Sequence, residues 1–180
     1  MIQIHDKRFE PFISRRRIQH AVKRIANCIT ADFKGQQPVL MPVLNGAFIF
    51  AADLIRAINT DCEISFIKAT SYEGIQSTGK LNIQLHLNPA YLRNKPIILI
   101  EDIIDTGFTI AQLIPLLHEY KPSAIKVACL LHKPDALLYP SLHIDYIGMK
   151  IENKFVVGYG LDYNGLGRNY PDIYRLLEQR

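Results

Sequence analysis

The densest group of reactive side chains in this sequence lies at positions 101–109, which read Glu-Asp-Ile-Ile-Asp-Thr-Gly-Phe-Thr. The apolar run before it, at residues 96–100, predicts a buried strand, and a helical pattern follows it to about residue 120. Thr106 and Thr109 supply hydroxyl donors, and Gly107 lets backbone N–H groups approach an anion closely. In an α/β sheet, phosphates bind at the helix N-termini that follow the strands. We therefore expect this segment to hold a phosphate.

The adjacent acids Glu101 and Asp102 have no role in a site that holds only phosphate. Carboxylates accept hydrogen bonds from a sugar diol, and they also bind Mg²⁺. A phosphorylated sugar together with a metal ion therefore accounts for both ends of the segment. The alternative is a capped helix with a solvated acidic turn. Capping needs fewer groups than the three carboxylates and two threonines found in these nine residues.

The elements that must position these groups alternate along the chain. Hydrophobic patterning predicts strands at 39–44, 64–69, 96–100 and 124–131, an extended segment at 81–87, a hairpin of 144–151 with 155–159, and helices at 14–32 (capped by Ser14), 47–58, 109 to about 120, and about 172–178. Strands that alternate with helices predict an α/β fold, with a mostly parallel central sheet and helices on both faces.

Composition excludes several other classes of protein. With 48% hydrophobic and 21% charged residues, the 180-residue chain has the composition of a globular domain, which excludes disordered, collagen-like and coiled-coil proteins. The formal charge of +4 favours an anionic small ligand over a dedicated nucleic-acid partner. Three distant cysteines predict neither a disulfide framework nor a structural zinc site. We expect no signal peptide, no membrane span and a cytoplasmic location.

Residues 98–109 resemble the phosphoribosyl pyrophosphate (PRPP) motif of the type I phosphoribosyltransferases. Other segments narrow the resemblance to the hypoxanthine–guanine branch. Residues 43–48 resemble its first pyrophosphate loop, and Ser71-Tyr72 with residues 77–79 resemble its flexible catalytic loop. Lys133 stands where this branch has its purine-recognising lysine, and residues 155–164 resemble its base-binding hood. The matches run in order from about residue 39 to residue 168.

The resemblance implies a purine salvage enzyme with Mg²⁺ as its cofactor. Such an enzyme transfers the 5-phosphoribosyl group from PRPP to hypoxanthine, and also to guanine, releasing pyrophosphate and giving IMP or GMP. It implies that Asp105 is the proton-transfer residue, facing N7 of the purine. The implied PRPP-binding residues are Glu101, Asp102, Thr106, Gly107, Thr109, Leu44, Asn45, Gly46, Ser71, Tyr72 and Arg168. The implied purine-binding residues are Lys133, Phe155, Val156 and Asp162, and the implied metal ligands are Glu101, Asp102 and Asp162.

The resemblance also implies the organisation and partners of the chain. We expect a single domain over 1–180, with a core at about 35–140 and a small hood formed by about 1–15 and 141–180. We expect a homodimer or homotetramer, with no nucleic-acid or membrane partner. Two departures from the family affect PRPP affinity: Asn45 replaces a lysine found in many members, and Phe108 occupies a position that is often small or polar. We also expect a cis peptide bond before Asn45.

Two other functions remain open at this point. One is a regulator that keeps the PRPP-binding fold and binds RNA, for which the dense cationic cluster of Arg15, Arg16, Arg17, Lys23 and Arg24 is the candidate surface. The other is a sister transferase that acts on xanthine, adenine or a pyrimidine. Lys133 and the segment 155–164 favour a purine substrate over the RNA-binding regulator, and the choice among hypoxanthine, guanine and xanthine stays open. The six histidines form no recognisable metal-binding motif, and we interpret them as structural.

Overall fold

The computed structural model of the chain describes residues 1–71, 81–85 and 89–177. Most of the predicted catalytic loop, including Tyr72, lies outside the described residues. The elements are β1 (Ile2–Ile4), β2 (Lys7–Ile13), α1 (Arg15–Asp32), β3 (Val39–Leu44), α2 (Phe48–Ala57), β4 (Glu63–Ile64), β5 (Ile67–Ser71), β6 (Leu81–Leu85), α3 (Pro89–Leu92), β7 (Pro96–Ile104), α4 (Phe108–His118), β8 (Ala124–His132), a 3₁₀ turn (Pro134–Ala136), β9 (Tyr146–Lys150), β10 (Val156–Val157) and β11 (Ile173–Leu176).

The central sheet, within the described parts of the chain, has seven strands in the order β6-β5-β3-β7-β8-β9, with the short β4 also paired to β3. All of its pairs are parallel except β5 with β6. Parallel strands buried on both faces read as continuous apolar runs, which is why residues 39–44 and 96–100 are so hydrophobic. The carboxyl ends of β3, β7 and β8 therefore lie side by side at one edge of the sheet.

Helices cover both faces of this sheet. Ile25 of α1 and Phe50 of α2 belong to one buried cluster, which includes Ile98 of β7. Leu113 of α4 belongs to a second cluster, which includes Leu99 of the same strand. Since successive strand residues point to opposite faces, Ile98 and Leu99 contact different layers. The predicted α/β class, with a mostly parallel sheet between helices, is confirmed.

A second, four-stranded sheet of described residues has the order β1-β2-β11-β10 and is antiparallel. Ile4, Phe9 and Val157 form its own buried cluster. We call these four strands, together with Phe155 and residues 158–172, the hood. The strand β9, which lies within the range predicted for the hood, pairs with β8 in the central sheet instead.

Two predicted elements near the C-terminus are wrong. Residues 144–151 and 155–159 do not form a hairpin, because β9 pairs with β8 and β10 pairs with β11. The predicted helix at about 172–178 contains the strand β11, which pairs with both β2 and β10. Ile173 is fully buried there. Pairing with distant strands thus outweighs the local helical spacing.

Three smaller differences concern element boundaries. The predicted strand at 64–69 is interrupted at Ser65-Phe66 into β4 and β5, although both pairs with β3 keep one register. The strand β7 runs on to Ile104, so Glu101 and Asp102 belong to the strand rather than to a loop. Ser14 occupies the N-cap position of α1 without a side-chain cap. The first N–H of the helix, on Arg15, donates instead to Asp172 of the hood at 2.5 Å.

Candidate active site

Two adjacent carboxylates at the carboxyl end of β7 are almost completely buried. Glu101 and Asp102 are each 8% exposed, and neither forms an ion pair within 4.0 Å among the described residues. Burial raises the pKa of Glu101 well above its usual value, with further contributions from Asp102 and Asp105. Burial also raises the pKa of Asp102 to about 6. The backbone N–H of Ile103 donates to this carboxylate at 2.8 Å and partly opposes the shift. This pair therefore favours a bound cation or hydrogen-bond donor.

The segment after β7 forms the N-terminus of α4, an 11-residue helix. Gly107, at its N-cap, has φ 79°, a backbone conformation that favours glycine, and a Cβ there would also press on methyl groups of Leu137 and Leu142, at 2.8 and 2.9 Å. The Thr106 hydroxyl accepts a hydrogen bond from the N–H of Phe108 at 3.3 Å. Phe108 packs against Tyr139, with ring centroids 6.4 Å apart. As at other helix N-termini, the N–H groups of the first helical turn and the helix dipole suit a phosphate.

The loop between β3 and α2 approaches the acids from the neighbouring strand. Its Leu44–Asn45 peptide bond is cis, as expected. A Cβ at Gly46 would lie 1.9 Å from the Oδ2 atom of Asp102. The backbone of this loop therefore lies directly against the buried carboxylate, and no larger residue at position 46 leaves room for it. Asn45 is exposed.

The end of β8 adds a cation. Lys133 follows the strand, is 8% exposed, and its backbone N–H donates to Ile104 at 2.9 Å. Burial lowers the pKa of Lys133, and the negative charge of Asp105 partly opposes that shift. Asp105 itself is exposed at the mouth of the site and accepts a hydrogen bond from the N–H of Thr106 at 2.5 Å. The predicted proton-transfer residue and the predicted purine-recognising lysine therefore face one space.

The hood supplies the opposite side of that space. Phe155 is 43% exposed, with its ring edge-on to Tyr163 at a centroid distance of 5.8 Å, while Val156 beside it is buried. Such an exposure does not fit a core residue. The Nζ atom of Lys7 lies 5.8 Å from the centroid of this ring, and the ring also lines the cavity. Arg168 pairs with Asp162 at 2.7 Å, and its guanidinium also donates to the carbonyl oxygen of Gly160 at 2.6 Å.

These groups converge on one cavity of about 350 Å³. We call Glu101, Asp102, Asp105 and Lys133 the strand wall, and Phe155, Val156, Asp162 and Arg168 the hood wall. Leu44, Gly46 and Thr109 also line the cavity. Gly107 and Phe108 line a smaller adjoining space at the N-terminus of α4. Asn45 and Thr106 do not appear among the lining residues, and Ser71 ends β5.

Several cavity residues were not predicted from the sequence. They are Val43, Ala69, Ile103 and Leu161. Ile103 carries a usable signal, because it stands midway between Glu101 and Asp105, and side chains two apart on a strand share a face. His132, interpreted from the sequence as structural, is 7% exposed, and both of its ring nitrogens lack a hydrogen-bond partner among the described residues. Burial, together with Lys150, lowers its pKa, so this imidazole is neutral at pH 7.

The acids fit a divalent cation. Within the described ranges, no three His, Cys, Asp or Glu side chains converge closely enough to hold a metal without further ligands. Mg²⁺ is usually held by one or two carboxylates and completed by substrate phosphates and water. Glu101 and Asp102 meet that requirement. Asp162 fits less well, since one oxygen faces Arg168 and the other accepts from the N–H of Gly165 at 2.7 Å.

Comparison with known proteins agrees with this geometry. The family model of the phosphoribosyl transferase domain matches residues 14–164. This chain belongs to the phosphoribosyltransferase family. Curated relatives named hypoxanthine-guanine phosphoribosyltransferase include one from Staphylococcus epidermidis, 40% identical over 162 residues and 89% of each chain, and one from Staphylococcus aureus, 36% identical over 171 residues and 94% of each chain.

Similarity to a solved structure agrees with the assignment of this chain to the phosphoribosyltransferase family. A crystal structure of a hypoxanthine-guanine phosphoribosyltransferase from Bacillus anthracis is 38% identical and superposes with a TM-score of 0.86, covering 96% of this chain and 99% of that one. The predicted family membership is therefore confirmed, and with it the hypoxanthine–guanine branch. Among the described residues of this family member, no helix is long and apolar enough to cross a membrane.

Proposed function

We propose that this phosphoribosyltransferase moves the 5-phosphoribosyl group of PRPP onto hypoxanthine, and also onto guanine, in purine salvage. The observation that carries the proposal is the cavity in which two buried carboxylates and a helix N-terminus stand opposite an exposed phenylalanine ring, with Lys133 between them. One end of such a cavity suits a phosphorylated sugar, and the other suits a flat base with a carbonyl group. The names of the relatives support the same substrates.

In the proposed reaction, a ring nitrogen of the purine attacks C1′ of PRPP. The bond from C1′ to nitrogen forms as the bond from C1′ to the pyrophosphate oxygen breaks, and pyrophosphate leaves with that electron pair. The ribose acquires oxocarbenium character in between, as in other glycosyl transfers. Asp105 accepts the proton that the purine loses at N7. Its exposure at the mouth of the cavity is compatible with reaching that atom.

The strand wall holds the sugar and the metal in this proposal. Glu101 and Asp102 accept hydrogen bonds from the ribose hydroxyls and hold Mg²⁺, which supplies charge neutralisation for the pyrophosphate when bound. Their negative charge also stabilises the developing cation. Thr106, Gly107 and Thr109 cradle the 5′-phosphate at the N-terminus of α4. Leu44, Asn45, Gly46, Ser71, Tyr72 and Arg168 bind the rest of PRPP.

The base binds between the walls. Lys133 donates to the 6-oxo group of the purine, which selects oxopurines, because the 6-amino group of adenine is itself a donor. Phe155 stacks on the ring, and the backbone of Val156 meets its edge. Asp162 keeps Arg168 oriented, and a second Mg²⁺ near Asp162 stays a prediction. We also propose a homodimer or homotetramer that acts in the cytoplasm, within a single domain of core and hood.

The deciding experiment is nucleotide formation from PRPP and Mg²⁺ with hypoxanthine, guanine, xanthine, adenine and uracil in parallel. We expect turnover of hypoxanthine and guanine and none of adenine or uracil. Turnover of xanthine or adenine alone would establish the sister transferase. PRPP binding without turnover of any base, together with a salt-dependent RNA affinity that falls when Arg16 and Arg17 are changed to alanine, would establish the regulator.

A further inference from the structure

Tyr159 has a backbone conformation that residues other than glycine rarely adopt. Its φ is 50°, and the φ of Gly160 after it is 101°. Gly158 and Leu161 on either side exchange two backbone hydrogen bonds, of 3.0 and 3.1 Å. Two central residues with positive φ are typical of a type I′ turn, in which the first position favours Gly, Asn or Asp. A tyrosine there is disfavoured, so other contacts must hold it in place.

The side chain of Tyr159 provides those contacts. It is 5% exposed, and its hydroxyl donates to the Oδ2 atom of Asp53 on α2 at 2.7 Å. Burial and the carboxylate of Asp53 raise the pKa of Tyr159, so the hydroxyl stays protonated and keeps donating at any physiological pH. Arg56 forms an ion pair with the same carboxylate at 3.7 Å. The turn is therefore tied to the helix that begins just after the β3–α2 loop.

The other side of this turn touches the cavity. A Cβ at Gly160 would lie 2.2 Å from the carbonyl oxygen of Gly46, so the two backbones are in direct contact. The N–H of Gly160 donates to the carbonyl oxygen of Arg168 at 3.0 Å, and the guanidinium of Arg168 donates back to Gly160 at 2.6 Å. The turn at residues 158–161 therefore fixes both the position of the Gly46 backbone and the direction of the Arg168 side chain.

We propose that the hydrogen bond between Tyr159 and Asp53 positions Gly46 and Arg168 for the pyrophosphate group of the substrate. Tyr159 and Asp53 are thus positioning residues, since neither belongs to the described lining of the cavity. The inference rests on the proposed function, which assigns Gly46 and Arg168 to PRPP. It goes further in predicting that a bond outside the cavity controls affinity for one substrate and leaves the other unchanged.

The chain offers a matched control. The hydroxyl of Tyr146, on β9, donates to Asp32 of α1 at 2.7 Å, and this tyrosine is 7% exposed. The two bonds therefore share donor, acceptor, length and degree of burial. They differ in what lies beside them, because neither Tyr146 nor Asp32 is among the described lining residues and neither itself has a positive φ. A purely structural effect of losing a buried tyrosine hydroxyl should be similar at both positions.

The test compares Tyr159→Phe with Tyr146→Phe by calorimetric binding of inorganic pyrophosphate with Mg²⁺, and by KM for PRPP and for hypoxanthine. We expect Tyr159→Phe to raise the pyrophosphate Kd and the PRPP KM about 3- to 10-fold, as the loss of one hydrogen bond suggests, with the hypoxanthine KM unchanged. Tyr146→Phe should leave all three within about twofold. Asp53→Asn, which keeps an acceptor oxygen, should stay close to wild type, whereas Asp53→Ala should match Tyr159→Phe.

Two results would overturn the inference: equal effects of the two tyrosine changes, or an equal rise of both KM values in Tyr159→Phe. If Tyr159→Phe does not fold, the pair Asp53→Asn and Asp53→Ala makes the same comparison, and equal affinities in that pair would overturn the inference as well. Failure of the proposed function gives a different result. In that case the wild-type protein itself binds neither pyrophosphate nor PRPP, before any variant is compared.

Discussion

The strand wall of the cavity leaves Glu101 and Asp102 without an ion-pair partner among the described residues, whereas the hood wall pairs Asp162 with Arg168 at 2.7 Å. The first two acids are 8% exposed, but the side chains of the hood pair are 27% and 29% exposed. Burying an uncompensated carboxylate is costly, whereas a partly exposed ion pair changes the free energy of unfolding little in either direction. The buried acids of the strand wall therefore lower the free energy of unfolding.

This difference indicates which kind of ligand each wall is suited to bind. Carboxylates whose charged form is destabilised by burial are stabilised most by a ligand of opposite charge, which in the proposed reaction is a metal ion and the cationic ribose of the transition state. The hood wall, with its internal pair, is already satisfied and holds its geometry before the substrate arrives. Variants of the strand wall should therefore change chemistry and stability strongly, and variants of the hood wall should change them less.

The largest effect is expected for Asp105→Asn. An amide has nearly the same size as the carboxylate but does not accept a proton, so kcat should fall about 10²- to 10⁴-fold, while the Kd for PRPP stays nearly constant. Steady-state kinetics and calorimetry measure the two quantities. Asp135→Asn, a change of an exposed carboxylate on the 3₁₀ turn, serves as the control and should retain full turnover. An equal loss of PRPP binding and turnover would remove Asp105 from the proton-transfer role.

The next effect concerns Lys133, the cation of the strand wall. Lys133→Ala removes a charged hydrogen-bond donor to the base, which corresponds to about 1.5–3 kcal/mol, or a 10- to 100-fold rise in the KM for hypoxanthine. The KM for PRPP should change little. Lys34→Ala, at an exposed position after α1, controls for the loss of a positive charge. A parallel rise of both KM values would make Lys133 a structural residue.

Local sequence was sufficient to predict the segment that carries Glu101, Asp102 and Asp105, and insufficient for much of the hood. Residues 96–109 carry their own signal, because an apolar run, three acids and a glycine specify strand, turn and helix within one short segment. The strand β11 carries no such signal. Ile173 is buried only because β2, from the other end of the chain, pairs with it. Helical spacing alone therefore predicted the wrong element at 172–178.

Contacts between distant segments were equally invisible in the sequence. The close approach of Gly46 to Asp102, and of Gly160 to Gly46, joins three segments that are far apart along the chain. Each glycine is recognisable in the sequence, but its reason lies in a neighbour that only the fold supplies. The family resemblance named Gly46 and Arg168 as site residues. It assigned no role to Tyr159 or Asp53, which a hydrogen bond from the turn to α2 joins.

A third prediction tests the stability of the strand wall directly, in protein kept free of Mg²⁺. Asp102 titrates near 3.8 when unfolded and at about 6 when folded, so between these values the folded state binds more protons. The contribution of Asp102 to the free energy of unfolding is therefore greatest below pH 4, and it falls as the pH rises through 6. Asparagine does not titrate, so the free energy of unfolding of Asp102→Asn should rise relative to that of wild type as the pH increases. The difference should reach on the order of 2–3 kcal/mol at pH 7.

Urea denaturation of wild type and Asp102→Asn at pH 4, 5, 6 and 7 measures this difference. The two curves of unfolding free energy against pH should lie closest at pH 4 and should diverge as the pH rises. Adding Mg²⁺ and PRPP should stabilise wild type more than the variant, because the ligand compensates the buried charge. A constant difference at every pH would mean that Asp102 is not strained by burial, and the contrast between the two walls would disappear.

The smallest effect is expected on the hood wall, for Asp162→Asn. The carboxylate of Asp162 is 27% exposed, with one oxygen paired to Arg168 and the other accepting from the N–H of Gly165. The amide keeps only one acceptor oxygen, so one of these two contacts is lost, and the free energy of unfolding should fall by about 1 kcal/mol. This change has the opposite sign to that of Asp102→Asn, although each variant removes one negative charge from the same cavity. Denaturation of both at pH 7 and low salt therefore separates a strained acid from a paired one. If both variants gained stability equally, the cause would be the overall negative potential of the cavity rather than the partners that each wall provides.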